Sequence, residues 1–333
     1  MTRKWTQNHF INHLPTKLPV NDCILIFDKI LQKEYSPWIG KFPKRISVSS
    51  GEKLKDVKEF PHWIEKIVNL SAGVPRSQLT IVVFGGGSVG DFGGFVASVL
   101  KRGVHLIQIP STWLAAMDSA HGGKTALNVG QIKNQIGTFY LAEETYLVKD
   151  VLLNVPKPQI KECLGEFYKM ALISGGKLWN QAKKEVAPQP SFLWKNLPAL
   201  IQAKLKIVKK DPFEQNGLRH ILNLGHTVGH VLESELGLAH GEAIHFGLLF
   251  SLNWGSQIGF YPAAEATHLF PSQALLKEKL KSIRNPSNKL LQDKKLVKAQ
   301  ELQFVFIQKP GNILIKKVKI DELLKEWRRQ CQG

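Results

Sequence analysis

The sequence predicts two domains of different class: an α/β N-terminal domain with a largely parallel sheet over residues 1–157, and a mainly α-helical C-terminal domain over residues 158–333. Short apolar runs alternate with amphipathic stretches as far as about residue 155. Those runs are apolar almost throughout, as strands covered on both faces are. Beyond residue 158 the apolar positions recur at helical spacing over much longer segments.

The expected strands are DCILIF (22–27), KRISVS (44–49), LTIVVF (79–84), VHLIQI (104–109) and TYLVK (145–149). Amphipathic segments such as DVKEFPHWIEKIVNL lie between several of them, and this alternation builds a parallel sheet with helices on both faces. In the second domain, helices are expected in PQIKECLGEFYKMALI, PALIQAKLKIVKK, LRHILNLGHTVGHVLESEL and HGEAIHFGLLFSLNWG. A late hairpin is expected where ELQFVFIQ and NILIKKV join through Pro310–Gly311.

The length of 333 residues suits two domains, and a hydrophobic fraction of 43% supplies ordinary cores. No run reaches the roughly 18–20 apolar residues of a membrane helix. The N-terminal MTRKWTQNHFINHLP is basic but lacks an apolar stretch, so it is not expected to act as a signal peptide. Three scattered cysteines, Cys23, Cys163 and Cys331, fit a reducing cytoplasm better than a disulfide framework. The net charge of +18 is spread over stretches such as KLKIVKK and KLLQDKKLVK, where solvated helix faces use it. No aromatic-interleaved basic motif or zinc finger accompanies it, so neither nucleic acid nor membrane is expected as a partner. A basic proteome or an anionic small substrate accounts for the charge.

The strand LTIVVF runs into Gly85, Gly86, Gly87, Ser88, Val89, Gly90 and Asp91. Glycines let a backbone approach a phosphate closely, and the start of the following helix offers free N–H groups and a positive dipole end. The match to G-x-G-x-x-G is misplaced for an ordinary dinucleotide fingerprint, which follows the first strand and has an acid about 20 residues on. Here the segment near residue 110 reads QIPST, with no acid. Two readings stand: a tight strand–helix turn without a ligand, or a variant nucleotide-binding site in a Rossmann-like domain. In the second, Asp28 at the end of the first strand could hold a ribose hydroxyl, and Glu52 and Lys55 in SSGEKLK could do similar work.

His226 and His230 are four residues apart and share one helical face. His240 opens HGEAIHFG, and Glu166 lies on an earlier helix. Two imidazoles and one carboxylate with an open position form the usual arrangement of a catalytic zinc. A lone histidine is more often packed or merely exposed; here the paired spacing, the HGE tripeptide and the flanking Gly225, Gly229 and Gly241 favour ligands. Spacing alone leaves open whether His226 or His230 is the ligand. Arg102, Lys124, Lys133 and Arg219 are expected in loops or at element ends, beside Gly, Asn or Thr. Converging, such residues would bind phosphate and carboxylate through charge-assisted hydrogen bonds.

Taken together, GGGSVGDFGGFVAS, KRGVHLIQIPSTWLA, MDSAHGGKTALN, IKNQIGTFY, LGEFYKMALI, GLRHILNLGHTVGH and HGEAIHFG resemble, in consistent order over roughly residues 20–310, the 3-dehydroquinate synthase family of sugar-phosphate cyclases. The resemblance implies that Glu166, His226 and His240 bind a divalent metal, Zn2+ or Co2+, and that His230 is a catalytic or substrate contact. It implies NAD+ contacts from Asp28, Glu52, Lys55, Gly85, Gly86, Gly87, Asp91, Ser111, Thr112, Asp118, Lys124 and Lys133. It implies substrate contacts from Lys124, Lys133, Asn134, Lys169, Lys204, Arg219 and Asn223. Arg102 resembles an arginine that reaches the partner's site in a homodimer, and Asp293–Lys295 a late phosphate-binding motif in which Lys294 or Lys295 is the binding residue.

The implied reaction converts 3-deoxy-D-arabino-heptulosonate 7-phosphate to 3-dehydroquinate and phosphate by transient oxidation, elimination, re-reduction and an internal aldol closure. Several positions depart from the family pattern. Ser111 replaces a threonine, Trp113 a leucine, and His121 a small or apolar residue. GEFYK replaces AEVIK while keeping Glu166 and Lys169, and one extra residue separates Asp211 from Arg219. Two alternatives share the architecture: a sibling cyclase acting on another heptulose phosphate, and a metal-dependent polyol dehydrogenase. Persistence of Lys204, Arg219, Asn223 and His230 favours the carboxylate-bearing substrate.

Overall fold

The computed structural model describes residues 5–130, 132–291, 296–298 and 300–332. The chain divides into two compact units, Met1–Pro156 and Lys157–Gly333.

In the first unit the elements are β1 (Gln7–Ile11), β2 (Cys23–Asp28), α1 (Gln32–Ile39), β3 (Arg45–Val48), α2 (Phe60–Leu70), β4 (Thr80–Gly85), α3 (Gly87–Val99), β5 (His105–Pro110), β6 (Lys124–Val129), β7 (Ile132–Phe139), β8 (Glu144–Val148) and α4 (Lys149–Leu153). Six strands form one sheet in the order β1-β8-β5-β4-β2-β3. Every pairing in it is parallel. Strands β2 and β4 are buried along their whole length, which is why they read as continuous apolar runs. Alternate residues feed two cores. Ile24, Ile26, Ile81 and Val83 pack with Ile67 of α2 and with Val89, Phe92 and Val96 of α3. Cys23, Leu25, Phe27, Val82 and Phe84 pack on the opposite face with Trp38 and Ile39 of α1 and Val151 of α4. All five expected strands are present. Strand β1 was not expected: QNHFI is half polar, and it lies at the sheet edge against β8. The antiparallel pair β6–β7 was not expected either, because most of β7 is exposed and carries no apolar period.

The second unit contains α5 (Lys157–Lys161), α6 (Leu164–Ser174), α7 (Gly176–Ala182), α8 (Pro190–Val208), α9 (His226–Leu236), α10 (His240–Gln257), α11 (Gln273–Ser282), α12 (Pro286–Leu291), β9 (Leu296–Lys298), β10 (Glu301–Lys309), β11 (Asn312–Lys319) and α13 (Ile320–Gln332). It is mainly helical, and β10 and β11 form the expected antiparallel hairpin. The segment LRHILNLGHTVGHVLESEL is not one helix. A 3-10 turn covers Leu218–Asn223, and Gly225, at φ +78°, ends it before α9 begins at His226.

The close crossings of α6, α9 and α10 depend on glycine. A Cβ built on Gly165 would lie 2.2 Å from the carbonyl oxygen of Gly241, and one on Gly241 would lie 1.5 Å from the carbonyl oxygen of Glu162. Only hydrogen fits at either place, so the residues after Gly165 and before Gly241 are drawn together. Those residues are Glu166 and His240.

Candidate functional site

In the second unit, Glu166, His226 and His240 each offer a ligand atom, all within 4.8 Å of one another. Glu166 is fully buried on α6, whereas His226 and His240 are the first residues of α9 and α10. Glu166 Oε1 lies 3.4 Å from His226 Nε2 and 3.7 Å from His240 Nε2. That oxygen is buried with no hydrogen-bond partner, a costly state for a carboxylate. A divalent cation among the three atoms removes the cost, so the donor set fits a metal. The other carboxylate oxygen pairs with the buried Lys169. Burial disfavours the His240 imidazolium, but Glu166 and Glu233 outweigh this and push its pKa up to about 9.

His230 is exposed on α9, its ring 5.2 Å from that of His226 and 6.1 Å from that of His240. It groups with Glu233 and His240, again within 4.8 Å, and not with Glu166. Lys204 and Arg219 are buried in the same unit, and Asn223 ends the Leu218–Asn223 turn. The loop that precedes Arg219 is closed on Asp211, whose carboxylate accepts the backbone N–H groups of Gln215, Asn216 and Arg219. Arg219 donates from a terminal guanidinium nitrogen to the Pro212 carbonyl at 3.0 Å. Lys294 and the rest of the Asp293–Lys295 motif lie outside the described residues.

In the first unit, Gly85 closes β4 and Asp28 closes the adjacent β2, with Phe27 opposite Phe84 in register. Asp28 thus ends the second strand of the chain, not the first as expected. The connection leaves β2 for β3 on one side and returns to β4 on the other, so these two carboxyl ends flank a switch point, where open α/β sheets bind ligands. The glycine turn thus has an acid beside it at the end of the neighbouring strand, although none lies at the expected place downstream.

Ser111 follows β5 and donates its N–H to Gly85 O, while Thr112 and Ser119 pack against Gly86 and Gly87. A shallow depression here is lined by Gly85, Gly86, Gly90, Gln108 and Ser119 among others. Asp118 sits one residue before Ser119 in a π-helical turn, Ala115–Ser119. Glu52 and Lys55 share a 3-10 turn, and Gly51 N–H donates to Ser88 Oγ at 2.9 Å. The buried Lys55 ammonium donates to Asp91 Oδ2 and to Asn134 Oδ1, each at 2.6 Å. Burial raises the Asp91 pKa, and Lys55 offsets part of that rise. Lys124 begins β6, and Lys133 lies inside β7, not in a loop. Arg102 is exposed on a turn where Lys101, Arg102 and Gly103 all have positive φ, and Lys101 ties the turn to the carbonyls of Ser71 and Val74.

Sequence reasoning missed Asn128, Ser119 and Glu233. Only Glu233 had a visible signal: it lies three residues after His230 and seven after His226, on the same helical stripe.

Comparison with known proteins brings these observations together. The model described as 3-dehydroquinate synthase N-terminal matches residues 45–162, and the one described as 3-dehydroquinate synthase C-terminal matches residues 163–296. The chain is 34% identical to a 3-dehydroquinate synthase of Leptospira interrogans over 313 residues, covering 89% of this chain and 85% of that protein. It is 36% identical to one of Thermoplasma volcanium over 261 residues, covering 75% and 71%. Among solved structures it resembles a 2-deoxy-scyllo-inosose synthase complexed with carbaglucose-6-phosphate, NAD+ and Co2+, with TM-score 0.80, 22% identity and coverage of 97% and 96%. It also resembles a 2-epi-5-epi-valiolone synthase of Streptomyces hygroscopicus with NAD+ and Zn2+, with TM-score 0.78, 17% identity and coverage of 100% and 98%. At these identities the structural likeness establishes the fold.

Proposed function

Since the chain belongs to the 3-dehydroquinate synthase family, we propose that it converts 3-deoxy-D-arabino-heptulosonate 7-phosphate to 3-dehydroquinate and phosphate, using NAD+ and one divalent cation. The carrying observation is the convergence of Glu166, His226 and His240 around an unpartnered carboxylate oxygen. These three residues would hold Zn2+ or Co2+. When bound, the ion supplies Lewis acidity at adjacent substrate hydroxyls and NAD+ supplies a reversible hydride acceptor.

The protein's own work is positioning and charge stabilisation. Asp28, Glu52 and Lys55 would hold the cofactor's ribose groups. Gly85, Gly86, Gly87, Asp91, Ser111, Thr112, Asp118 and Lys133 would complete its seat, the start of α3 facing the diphosphate. Lys124, Asn134 and Lys294 would bind the phosphate and stabilise the charge that develops as it leaves. Lys204 and Arg219, with Asn223, would bind the carboxylate, and Lys169 would hold Glu166 in place through their ion pair. His230, adjoining the ligand histidines and open to solvent, would move the proton of the oxidised hydroxyl. Arg102, held outward by its strained turn, would complete the site of a partner in a homodimer. The three cysteines are free, which suits a reducing cytoplasm, and no helix among the described residues is long and apolar enough to cross a membrane.

The test is phosphate release from the heptulosonate phosphate. It should require NAD+, stop on chelation, return with Zn2+ or Co2+, and leave no net NADH. Stoichiometric NADH would instead identify a polyol dehydrogenase. Turnover of sedoheptulose 7-phosphate alone would identify a sibling cyclase.

A further inference from the structure

The two nitrogens of His240 have different neighbours. Nε2 faces Glu166 Oε1 at 3.7 Å, whereas Nδ1 lies 2.9 Å from Glu233 Oε2. His226 is organised in the same sense by another group: its Nε2 faces Glu166 Oε1 at 3.4 Å, and its Nδ1 donates to the Leu224 carbonyl at 3.1 Å. An imidazole binds a metal only through a nitrogen without a proton, and the hydrogen bond at its other nitrogen fixes the tautomer. A carbonyl and an ionised carboxylate are pure acceptors. When an ion takes the place of the Nε2 proton, both rings therefore keep the proton on Nδ1 and present Nε2 on the side of Glu166.

His240 needs such a hold. It is the first residue of α10, directly after the link from α9, and its side chain is a third exposed. Glu233 comes from the last turn of α9, so the bond also ties the start of one helix to the end of the other. Charge makes a second argument. Lys169 pairs with Glu166, so the two neutral imidazoles, this carboxylate and this ammonium sum to zero around a divalent ion. Glu233 restores a negative charge through the ring of His240.

We propose that Glu233 is a positioning residue for the metal: it holds the Nδ1 proton of His240, aims Nε2 and makes that nitrogen a stronger donor. The inference rests on the metal reading of Glu166, His226 and His240.

The experiment is the zinc affinity of the metal-free protein, measured by competition with a chromophoric chelator, in the wild type, Glu233→Gln and Glu233→Ala. Cobalt(II) absorption spectra and melting of the metal-free proteins accompany it. Glu233→Ala should weaken zinc about 10–100-fold and alter the cobalt spectrum. Glu233→Gln still accepts from Nδ1 but lacks the charge, so it should fall between the two. Loss of the tie between the helices should lower melting of the metal-free proteins only slightly and leave them folded; a purely structural role would move melting and leave the order of affinities unexplained. Zinc affinity of Glu233→Ala within about twofold of wild type would overturn the inference, where the expected loss is at least tenfold. So would two zinc ions per wild-type chain and one per variant, which would make Glu233 a ligand of a second ion with His230 and His240. A wild type with no zinc affinity would instead overturn the metal reading itself.

Discussion

Asn128 donates its side-chain amide to Glu52 Oε2 at 2.7 Å, joining residues 76 apart in the chain. Its Oδ1 accepts the backbone N–H of Asn134 at 2.8 Å, and Asn134 Oδ1 in turn accepts from Lys55. Because Glu52 and Lys55 share one turn, the four residues close a ring. The ring spans an irregularity in β6–β7 pairing, between Leu127 and Val129, where Asn134 sits at φ +56°. Asn tolerates that region better than most residues, and the bond from Asn128 replaces the lost ladder partner. Asn128→Ala removes the three bonds of a buried amide, one of them to a charged group. NAD+ affinity, measured by isothermal titration, should fall about tenfold, matching the roughly 1.5–3 kcal/mol of a charge-assisted bond less relaxation. Unchanged affinity would show that the ring does not organise the cofactor side.

The ring also marks where sequence reading stopped. Buried parallel strands announce themselves by apolar content alone, so β2 and β4 were plain. The β6–β7 pair has polar residues on both faces and an interrupted register, so no period betrays it. Asn128 is one polar residue among several until folding sets it against Glu52. Similarly, His226 and His230 share a helical face, and spacing could not rank them. What separates them is the crossing of α6, which brings Glu166 to His226 while His230 stays in solvent, and that crossing is a tertiary fact.

Gly241→Ala should disable the site although the added methyl meets no proposed ligand. The added methyl would lie 1.5 Å from the backbone carbonyl oxygen of Glu162, so one helix must move. Overpacking typically costs about 1–3 kcal/mol, and contact with backbone places this case at or above the upper end. The expected result is a lower melting temperature together with loss of zinc binding. A variant that melts and binds zinc as the wild type does would mean that α6 and α10 approach less closely than described.

Glu166→Gln separates ligation from charge balance. It removes a proposed metal ligand and also leaves the Lys169 ammonium, 2% exposed, without its counter-charge. Breaking a buried pair from one side costs about 3–5 kcal/mol, so the metal-free variant should be markedly less stable. Glu166→Gln combined with Lys169→Met removes the stranded charge and should recover much of that stability while remaining unable to hold zinc. Urea unfolding in the presence of a chelator measures the first effect, and zinc titration the second. Recovery of zinc binding in the double variant would contradict the ligand assignment of Glu166.

Acid should weaken the second unit through His245, a residue outside the proposed chemistry. Its ring stacks on Tyr168 at 5.5 Å and meets Phe270 at 5.1 Å, and Nε2 donates to the Leu269 carbonyl at 2.9 Å. Burial among these groups disfavours the imidazolium and lowers the pKa to about 4, against an ordinary value of 6.5, the Leu269 bond opposing this only in part. The folded value lies below the unfolded one, so the unfolded chain takes up the proton first as pH falls. No penalty exists well above pH 6.5; stability drains away between 6.5 and about 4, and below that both states are protonated. Between pH 7.5 and 5 the loss should be roughly 2 kcal/mol, at about 1.4 kcal/mol per unit. His245→Phe keeps the aromatic stack and cannot titrate; it forfeits the Leu269 bond, about 1 kcal/mol at neutral pH. Urea unfolding of both proteins at the two pH values, with chelator present, gives the comparison. The wild type should lose more on acidification than the variant, by about those 2 kcal/mol. Equal losses would mean that His245 takes up its proton as readily in the folded protein as in the unfolded chain.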